Sequence, residues 1–340
     1  MIKKIRFAAM KKIIATFLLS GLLFYGCETD FDVIAPYKEV MVVDGLLNVR
    51  DSVHTVRISK AFLGVGNALV MAQQNDSNNY GDILDVKMQR IFNNLVTETF
   101  SLTRTEYNDK DSGVFASGYV LYSTTHQLLE DGSEYKIIVT NNQTGVVASS
   151  TTKIVKDMVV SSPNPLLDSI DLTGPAQSIV RYSASKNAVF YELIIRFHYR
   201  DIDPSGVSAQ KYVDWYFSSP SVINSDGIRY NFYKYNLFEN LGLYIPDNPG
   251  YTRRIDSLTG NVRPFEFILL AGSEDLQTYI QLNKPSTGNV QERPSFTTVE
   301  NGLGLVTSRV VHSEFRFPNT TTVAAFDTSV FTRNKNFQFN

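Results

Sequence analysis

Cysteine is almost missing from this sequence, which has 340 residues and a single cysteine, Cys27. Without a second thiol the chain forms no internal disulfide and builds no zinc site from several thiolates. Charge is scarce too, since 19% of the residues are charged and the formal net charge is −2. A chain without excess positive charge lacks the attraction that holds proteins to nucleic acid, so we expect no nucleic-acid partner.

Long apolar runs are also missing, with one exception near the N-terminus. Lys11 and Lys12 precede an apolar run over residues 13–25, which ends just before Cys27. The run is shorter than the roughly 20 residues that a membrane-spanning helix needs. A basic segment, an apolar segment of about 7–15 residues and a small residue together form a secretory signal peptide. The sequence therefore predicts a signal peptide over residues 1–26.

The junction at Cys27 resembles the lipobox of bacterial lipoproteins, because the cysteine stands directly after Gly26 at the end of the apolar run. In that class the thiol receives a diacylglyceryl group, the signal is cut before the cysteine, and the new N-terminus is acylated. The resemblance implies that Cys27 carries a covalent lipid, with palmitate among its fatty acids, and that this lipid anchors the protein to the outer membrane. Two positions depart from the usual lipobox, since Phe24 stands where leucine is usual and Tyr25 stands where a small residue is commoner.

Residues 27–39 form a short acidic segment after the lipid site, with Glu28, Asp30 and Asp32 at alternate positions. One interpretation is a solvated tether that Pro36 keeps extended. The other is an export signal, since acidic residues just past the lipidated cysteine resemble the signal that places Bacteroidota lipoproteins on the cell surface. Both interpretations stay open.

The rest of the chain is rich in strand-forming residues, with 22 Phe and 18 Tyr. Short alternating segments with turns every 8–12 residues predict an immunoglobulin-like antiparallel β-sandwich over residues 40–157. Closely spaced prolines predict a linker over residues 158–175. Residues 176–340 are predicted to form a second β-rich domain with one short helix, so the fold class is mainly β.

Two segments of the second domain carry the clearest patterns. Residues 187–202 alternate, which predicts a strand whose buried face carries Tyr191, Leu193, Ile195, Phe197 and Tyr199. A capping serine and two acidic residues precede the apolar spacing of residues 273–284 and predict the helix. The aromatic residues 228–238 are predicted to continue the sheet, and the last twenty residues to form a terminal strand or a loose tail.

Several of these segments occur together in one family. The chain resembles a family of Bacteroidota outer-membrane lipoproteins known only as a domain of unknown function. The resemblance covers roughly residues 27–317 and rests on Cys27-Glu28, MVVDGLL, VRIS, a helix after FEFILLAGS, and ERPSFTTVENGLGLVTS. It implies a position at the outer membrane, commonly beside a TonB-dependent transporter, and therefore the role of an accessory subunit.

Candidate catalytic and metal-binding residues are dispersed along the sequence. The four histidines are far apart and show no metal-ligand spacing: His54, His126, His198 and His312. Residues 201–206 have the opening pattern of a calcium loop, but Tyr212 occupies the position that should supply a bidentate carboxylate, so a plain β-turn is the better interpretation. No nucleophile elbow, phosphate loop or zinc-protease helix is found. We expect no catalytic residue, no metal and no cofactor besides the lipid.

Aromatic residues concentrate between Tyr182 and Tyr251, most densely around Tyr230, Tyr233 and Tyr235. Tyrosine offers a large contact area with a polar tip, which suits protein interfaces and stacking on sugars or peptides, although aromatic strands are also ordinary core elements. We take these three tyrosines as candidate partner-binding residues.

The leading functional prediction is a non-enzymatic outer-membrane lipoprotein, lipid-anchored and facing the cell surface, that binds a TonB-dependent transporter or another envelope protein. A structural or assembly adaptor of the outer membrane or its secretion machinery is the alternative. A hydrolase that acts on envelope polymers is a third hypothesis, and no motif favours it.

Overall fold

The computed structural model describes residues 40–61, 70, 72–109, 118–224, 226–255, 262–285 and 295–339. Cys27, Glu28, Asp30 and Asp32 lie outside the described residues, as do the signal peptide and the tether. The described chain is mainly β, with 49% strand, one large mixed sheet and two small antiparallel sheets. None of its helices is long and apolar enough to cross a membrane.

The strands within the described residues follow one another closely along the chain. In order they are β1 (Val40–Leu47), β2 (His54–Ala61), β3 (Leu84–Phe92), β4 (Leu95–Ser101), β5 (Thr103–Tyr107), β6 (Tyr119–Thr124), β7 (Glu134–Asn141), β8 (Val147–Lys153), β9 (Val160–Ser162), β10 (Ser169–Ile170), β11 (Gln177–Tyr182), β12 (Phe190–Ile202), β13 (Ser208–Phe217), β14 (Val222–Asn224), β15 (Gly227–Tyr233), β16 (Thr252–Arg254), β17 (Phe265–Gly272), β18 (Val306–Pro318) and β19 (Phe337–Gln338).

Helices are few and short in the same residues. A single turn, α1 (Asn75–Asn78), is followed by α2 (Tyr235–Tyr244), α3 (Glu274–Leu282) and α4 (Thr320–Thr328). The prediction of one helix in the C-terminal half is therefore wrong, because this half contains three. Only α3 was expected, and there Ser273 accepts a hydrogen bond from the Leu276 backbone N–H at 3.3 Å, as the capping pattern predicts.

The large sheet has the strand order β19-β16-β12-β17-β18-β1-β2-β6-β5, with β10 also paired to β18 and β13 to β12. Most neighbours are antiparallel, but β1 and β18 run parallel, with Gly45 opposite Val306 and Leu47 opposite Ser308. Strands from the N-terminal and C-terminal halves of the sequence thus share one sheet.

Two clusters of buried side chains lie against this sheet. The N-terminal cluster packs β1, β2 and β6 against the small sheet β4-β3-β7-β8, through residues such as Met41, Val56, Tyr122, Met88 and Tyr135. The C-terminal cluster packs β12 and β17 against the small sheet β14-β15-β11-β9 and against α2 and α4, through residues such as Phe197, Phe267, Tyr230, Phe238 and Phe326.

Strand β12 confirms the alternation read from the sequence. The five residues predicted to be buried have exposed fractions of 0–5%, and they are Tyr191, Leu193, Ile195, Phe197 and Tyr199. The other face carries polar residues such as Arg196, which forms an ion pair with Asp214 of β13. A period of two therefore separates a core face from an outer face along this strand.

Two segments differ from their predictions. Residues 228–238 do not form one strand, because β15 ends at Tyr233 and α2 begins at Tyr235. The helix buries Leu237, Phe238 and Leu241, and this packing outweighs the strand preference of aromatic residues. The last twenty residues are neither a terminal strand alone nor a tail, since they contain α4, capped by Asn319, and the short β19.

Candidate partner-binding surface

The three candidate tyrosines lie at the junction of β15 and α2, on two sides of the chain. Tyr230 is 1% exposed and points into the C-terminal core, whereas Tyr233 and Tyr235 are 45% and 51% exposed. The period of two along β15 puts Tyr230 and Phe232 inward and Asn231 and Tyr233 outward. Tyr230 thus lies beneath the surface, and direct contact with a partner falls to Tyr233 and Tyr235.

Tyr233 and Tyr235 form a pair even though one ends a strand and the other begins a helix. Their ring centroids are 5.7 Å apart with an interplanar angle of 32°. Lys234, between them, points away and its Nζ lies 3.1 Å from Asp171 Oδ2. Both tyrosine rings therefore face outward at this junction, and Lys234 between them forms an ion pair with Asp171.

The Asp171 carboxylate is fixed by hydrogen bonds from Thr173. Its Oδ1 accepts hydrogen bonds from the Thr173 backbone N–H at 2.9 Å and from the Thr173 hydroxyl at 2.6 Å. Burial opposes ionisation, but these hydrogen bonds and the Lys234 ammonium outweigh it and lower the pKa of Asp171. The carboxylate stays charged near neutral pH and keeps Lys234 in place.

The exposed apolar area extends from the tyrosine pair in two directions. On α2, Tyr235, Glu239 and Leu243 follow at i, i+4 and i+8 and share one face, and Leu243 is 75% exposed. On β11, Ile179 is opposite Asn231 and 39% exposed, so it lies diagonal to Tyr233 on the same face of the sheet. We call Tyr233, Tyr235, Leu243 and Ile179 the tyrosine surface.

A closely packed aromatic layer supports this surface from below. The Tyr182 and Tyr230 rings stack at 6.3 Å, and Phe232 contacts Trp215 and Phe217 with centroids 5.3 and 5.6 Å apart. Burial raises the pKa of both Tyr182 and Tyr230, so these hydroxyls remain neutral. The layer makes the surface stiff, because buried aromatic rings leave little room for repacking.

Three of the four histidines lie beside carboxylates. His198 Nε2 lies 2.9 Å from Glu266 Oε2, His126 Nε2 lies 3.0 Å from Glu98, and His312 lies between Asp157 and Glu314. His54 is buried. Among the described residues, no group of three or more His, Cys, Asp or Glu is placed to hold a metal ion.

The segment with a calcium-loop pattern is the turn between β12 and β13. Asp203 Oδ1 accepts hydrogen bonds from Ser205 and from the Val207 backbone N–H, both within 2.9 Å. Asp201 faces elsewhere, because its Oδ2 lies 2.7 Å from Lys211 Nζ. The two carboxylates therefore do not converge on a common point, and the segment is a hairpin turn.

A polar cavity of about 570 Å³ lies beside the N-terminus of α3 and was not foreseen from the sequence. Glu134, Lys153, Glu274 and Asp275 contribute its charges, and burial together with Glu274 raises the pKa of Asp275. Its serine, Ser273, is engaged with the Thr307 hydroxyl at 2.6 Å. The Ser273 hydroxyl is therefore held by Thr307 and by the Leu276 backbone N–H rather than by a carboxylate of the cavity.

Comparison with protein-family models gives no match for this sequence, and comparison with curated proteins gives none either.

Proposed function

We propose that this protein is a non-enzymatic lipoprotein of the outer membrane that acts as a binding or accessory subunit of a TonB-dependent transporter. Cys27 supplies the lipid anchor, and the acidic residues Glu28, Asp30 and Asp32 direct the protein to the cell surface. The observation that carries the proposal is the tyrosine surface. Its two tyrosine rings are about half exposed, while Tyr182, Tyr230 and Phe232 of the aromatic layer are buried.

The composition of this surface supports binding to a protein. Aromatic residues are enriched at protein interfaces, where a few of them carry most of the binding energy. Tyr233 and Tyr235 are exposed as a pair, with Ile179 diagonal to Tyr233, Leu243 two helical turns from Tyr235, and Asn231 and Glu239 as polar neighbours. An apolar centre with polar neighbours is the usual anatomy of an interface.

A finer description of the architecture belongs to the same proposal. We propose that residues 40–157 form an immunoglobulin-like sandwich, that residues 158–175 link it to the rest, and that residues 176–340 form a second β-rich domain. The antiparallel pairs β1-β2, β3-β7 and β7-β8, with the buried cluster between their sheets, support the sandwich.

The proposal is tested by truncating the two exposed tyrosines together. Tyr233→Ala with Tyr235→Ala should reduce co-purification of the transporter from detergent-solubilised outer membranes, because interface hot spots cost about 2 kcal/mol or more each. The melting temperature should hardly change, since both rings are half exposed. Tyr279→Ala is the matched control, because Tyr279 is 41% exposed on α3 and lies outside the tyrosine surface.

Two results would count against this function. Transporter recovery equal to that of the unmodified protein would remove the tyrosine surface as the binding site. Recovery of secretion or assembly components in place of a transporter would favour the adaptor alternative. Mass spectrometry of the co-purified proteins separates these outcomes.

A further inference from the structure

A second pair of exposed tyrosines lies on β13, on the other side of the C-terminal core. Tyr212 and Tyr216 are 58% and 67% exposed, although Val213 between them is 8% exposed. Trp215 and Phe217 pack against the C-terminal core. The period of two thus puts Tyr212, Asp214 and Tyr216 together on the outer face of the large sheet. Since a strand rises about 3.4 Å per residue, the Cα atoms of the two tyrosines are about 14 Å apart.

One ion pair orients both rings. Arg196 of β12 is opposite Asp214, and its Nε and Nη2 donate to the two carboxylate oxygens at 2.7 and 2.9 Å. The Arg196 guanidinium lies 4.1 Å from the centre of the Tyr212 ring. The Tyr216 hydroxyl donates to Asp214 Oδ2 at 3.0 Å. Two exposed rings are therefore preorganised, which lowers the entropy lost when a ligand orders them.

The strip between the rings carries no excess positive charge, because Arg196 is flanked by Asp214 of β13 and by Glu266 of β17. The hydrogen bonds with Asp214 raise the pKa of Arg196 and also raise the pKa of Tyr216, so the guanidinium stays charged, the phenol stays neutral and the carboxylate neutralises the guanidinium. Polar donors and acceptors thus lie between two aromatic rings. Such a strip offers no net attraction to a nucleic acid, an acidic peptide or an anionic lipid surface.

We infer that Tyr212 and Tyr216, with Arg196 and Asp214 between them, form a binding platform for a neutral oligosaccharide. The negatively polarised faces of aromatic rings attract the C–H groups of pyranose rings, and the sugar hydroxyls can bond to the partly exposed Arg196 guanidinium and to the Tyr216 hydroxyl. A ligand that touches both rings must also lie across the Arg196–Asp214 ion pair between them. The platform points away from the tyrosine surface, and the inference does not depend on a transporter partner.

The test uses the purified full chain in detergent on an array of neutral α-linked and β-linked hexose and pentose oligosaccharides, with acidic oligosaccharides on the same array. We expect binding to at least one neutral class, competed by the same oligosaccharide in solution. Tyr212→Ala and Tyr216→Ala should each lower its affinity by roughly tenfold, since each removes one stacked ring. Tyr216→Phe keeps the ring and should retain most of the affinity.

Two further variants separate this platform from the rest of the protein. Arg196→Lys removes the bidentate pairing that orients both rings and should weaken binding without unfolding the chain. The double variant Tyr233→Ala and Tyr235→Ala should bind the oligosaccharide normally. The melting temperature of each variant shows whether it is folded, so that binding is compared among folded proteins only.

The inference is overturned if no neutral oligosaccharide binds, if only acidic ones bind, or if folded Tyr212→Ala and Tyr216→Ala proteins bind as well as the unmodified chain. Loss of transporter co-purification in these two variants, without any binding of oligosaccharide, would show a second protein interface in place of a sugar platform. In each of these cases the proposal based on Tyr233 and Tyr235 is judged separately by its own co-purification result.

Discussion

His54 is a buried side chain whose protonation should destabilise the folded protein. It is 2% exposed, and neither ring nitrogen has a hydrogen-bond partner among the described residues. Burial lowers the pKa of His54, while the Asp51 carboxylate opposes this shift and His126 adds to it. The folded protein therefore holds this imidazole in its neutral form.

This state of His54 predicts how stability depends on pH. The unfolded chain takes up the proton near the ordinary histidine pKa of about 6.5, whereas the folded chain resists it to lower pH. Between those two values the unfolded state binds more protons, so stability falls as pH falls, by at most about 1.4 kcal/mol per pH unit for one group. His54→Leu should flatten the decline between about pH 7 and pH 5 in urea unfolding.

His126 provides the control for that measurement. Its side chain is 35% exposed, and its effect on the pKa of His54 is smaller than that of burial, so His126→Leu should leave most of the pH dependence in place. Glu266 and Glu314 titrate below this window, because hydrogen bonds from His198, His312 and Arg316 outweigh burial and lower their pKa values. An unchanged slope in His54→Leu would show that another group is responsible.

Strands and helices differ in how far local sequence specifies them. The alternation of β12 and the capping serine of α3 are signals carried within one segment, and the structure confirms both. α2 has no side-chain cap at Lys234 and no acidic residue in its first turn, so the sequence lacked the signals that start a helix. Its aromatic residues instead favoured a strand, and contacts made elsewhere in the core decide the outcome.

The turn at residues 301–304 binds the two halves of the large sheet together. Leu303 N–H donates to Met41 O at 2.8 Å, and Val43 N–H donates to Leu303 O at 2.8 Å. Gly304 adopts a φ of +107°, and a Cβ there would lie 2.3 Å from Val43 O. Only glycine fits where the turn crosses β1 so closely.

Gly304→Ala should therefore destabilise the protein by clearly more than the roughly 1–2 kcal/mol that a left-handed conformation costs. The extra cost comes from backbone overlap with β1, since no side chain can rotate away. Gly145→Ala is the matched control, because Gly145 has a φ of +73° but nothing within 4 Å of the added carbon. Denaturant unfolding compares the two, and equal losses would mean that the crossing adjusts without cost.

At the scale of the whole molecule, the sheet connections could not be predicted from the sequence. In the parallel pair of β1 and β18, Gly45 is opposite Val306. The sequence of neither strand indicates which strand it pairs with. The same limit applies to the candidate surface. The density of aromatic residues in the sequence indicates Tyr230, Tyr233 and Tyr235 as one group. Only the pairing of β15 with β11 and the start of α2 show that Tyr230 is buried and that Tyr233 and Tyr235 are exposed.

The proposed placement of the protein in the cell rests on Cys27 and the acidic residues after it, which lie outside the described residues. If Glu28, Asp30 and Asp32 form an export signal, replacing all three with alanine should convert a protein that added protease degrades on intact cells into a protected, periplasmic one. The reason is that a lipid would anchor the chain to a membrane without choosing its face, so in this proposal the adjacent carboxylates make that choice.

Lipid attachment is the control for that experiment. The triple alanine variant should still incorporate labelled palmitate, whereas Cys27→Ser should incorporate none and remain unprocessed or be released, because Cys27 is the only thiol in the sequence. Palmitate labelling that persists in Cys27→Ser would remove the anchor from the proposal. Equal protease sensitivity of the unmodified and triple alanine proteins, with labelling intact in both, would instead leave the acidic residues as a solvated tether and require another determinant of the exposed face.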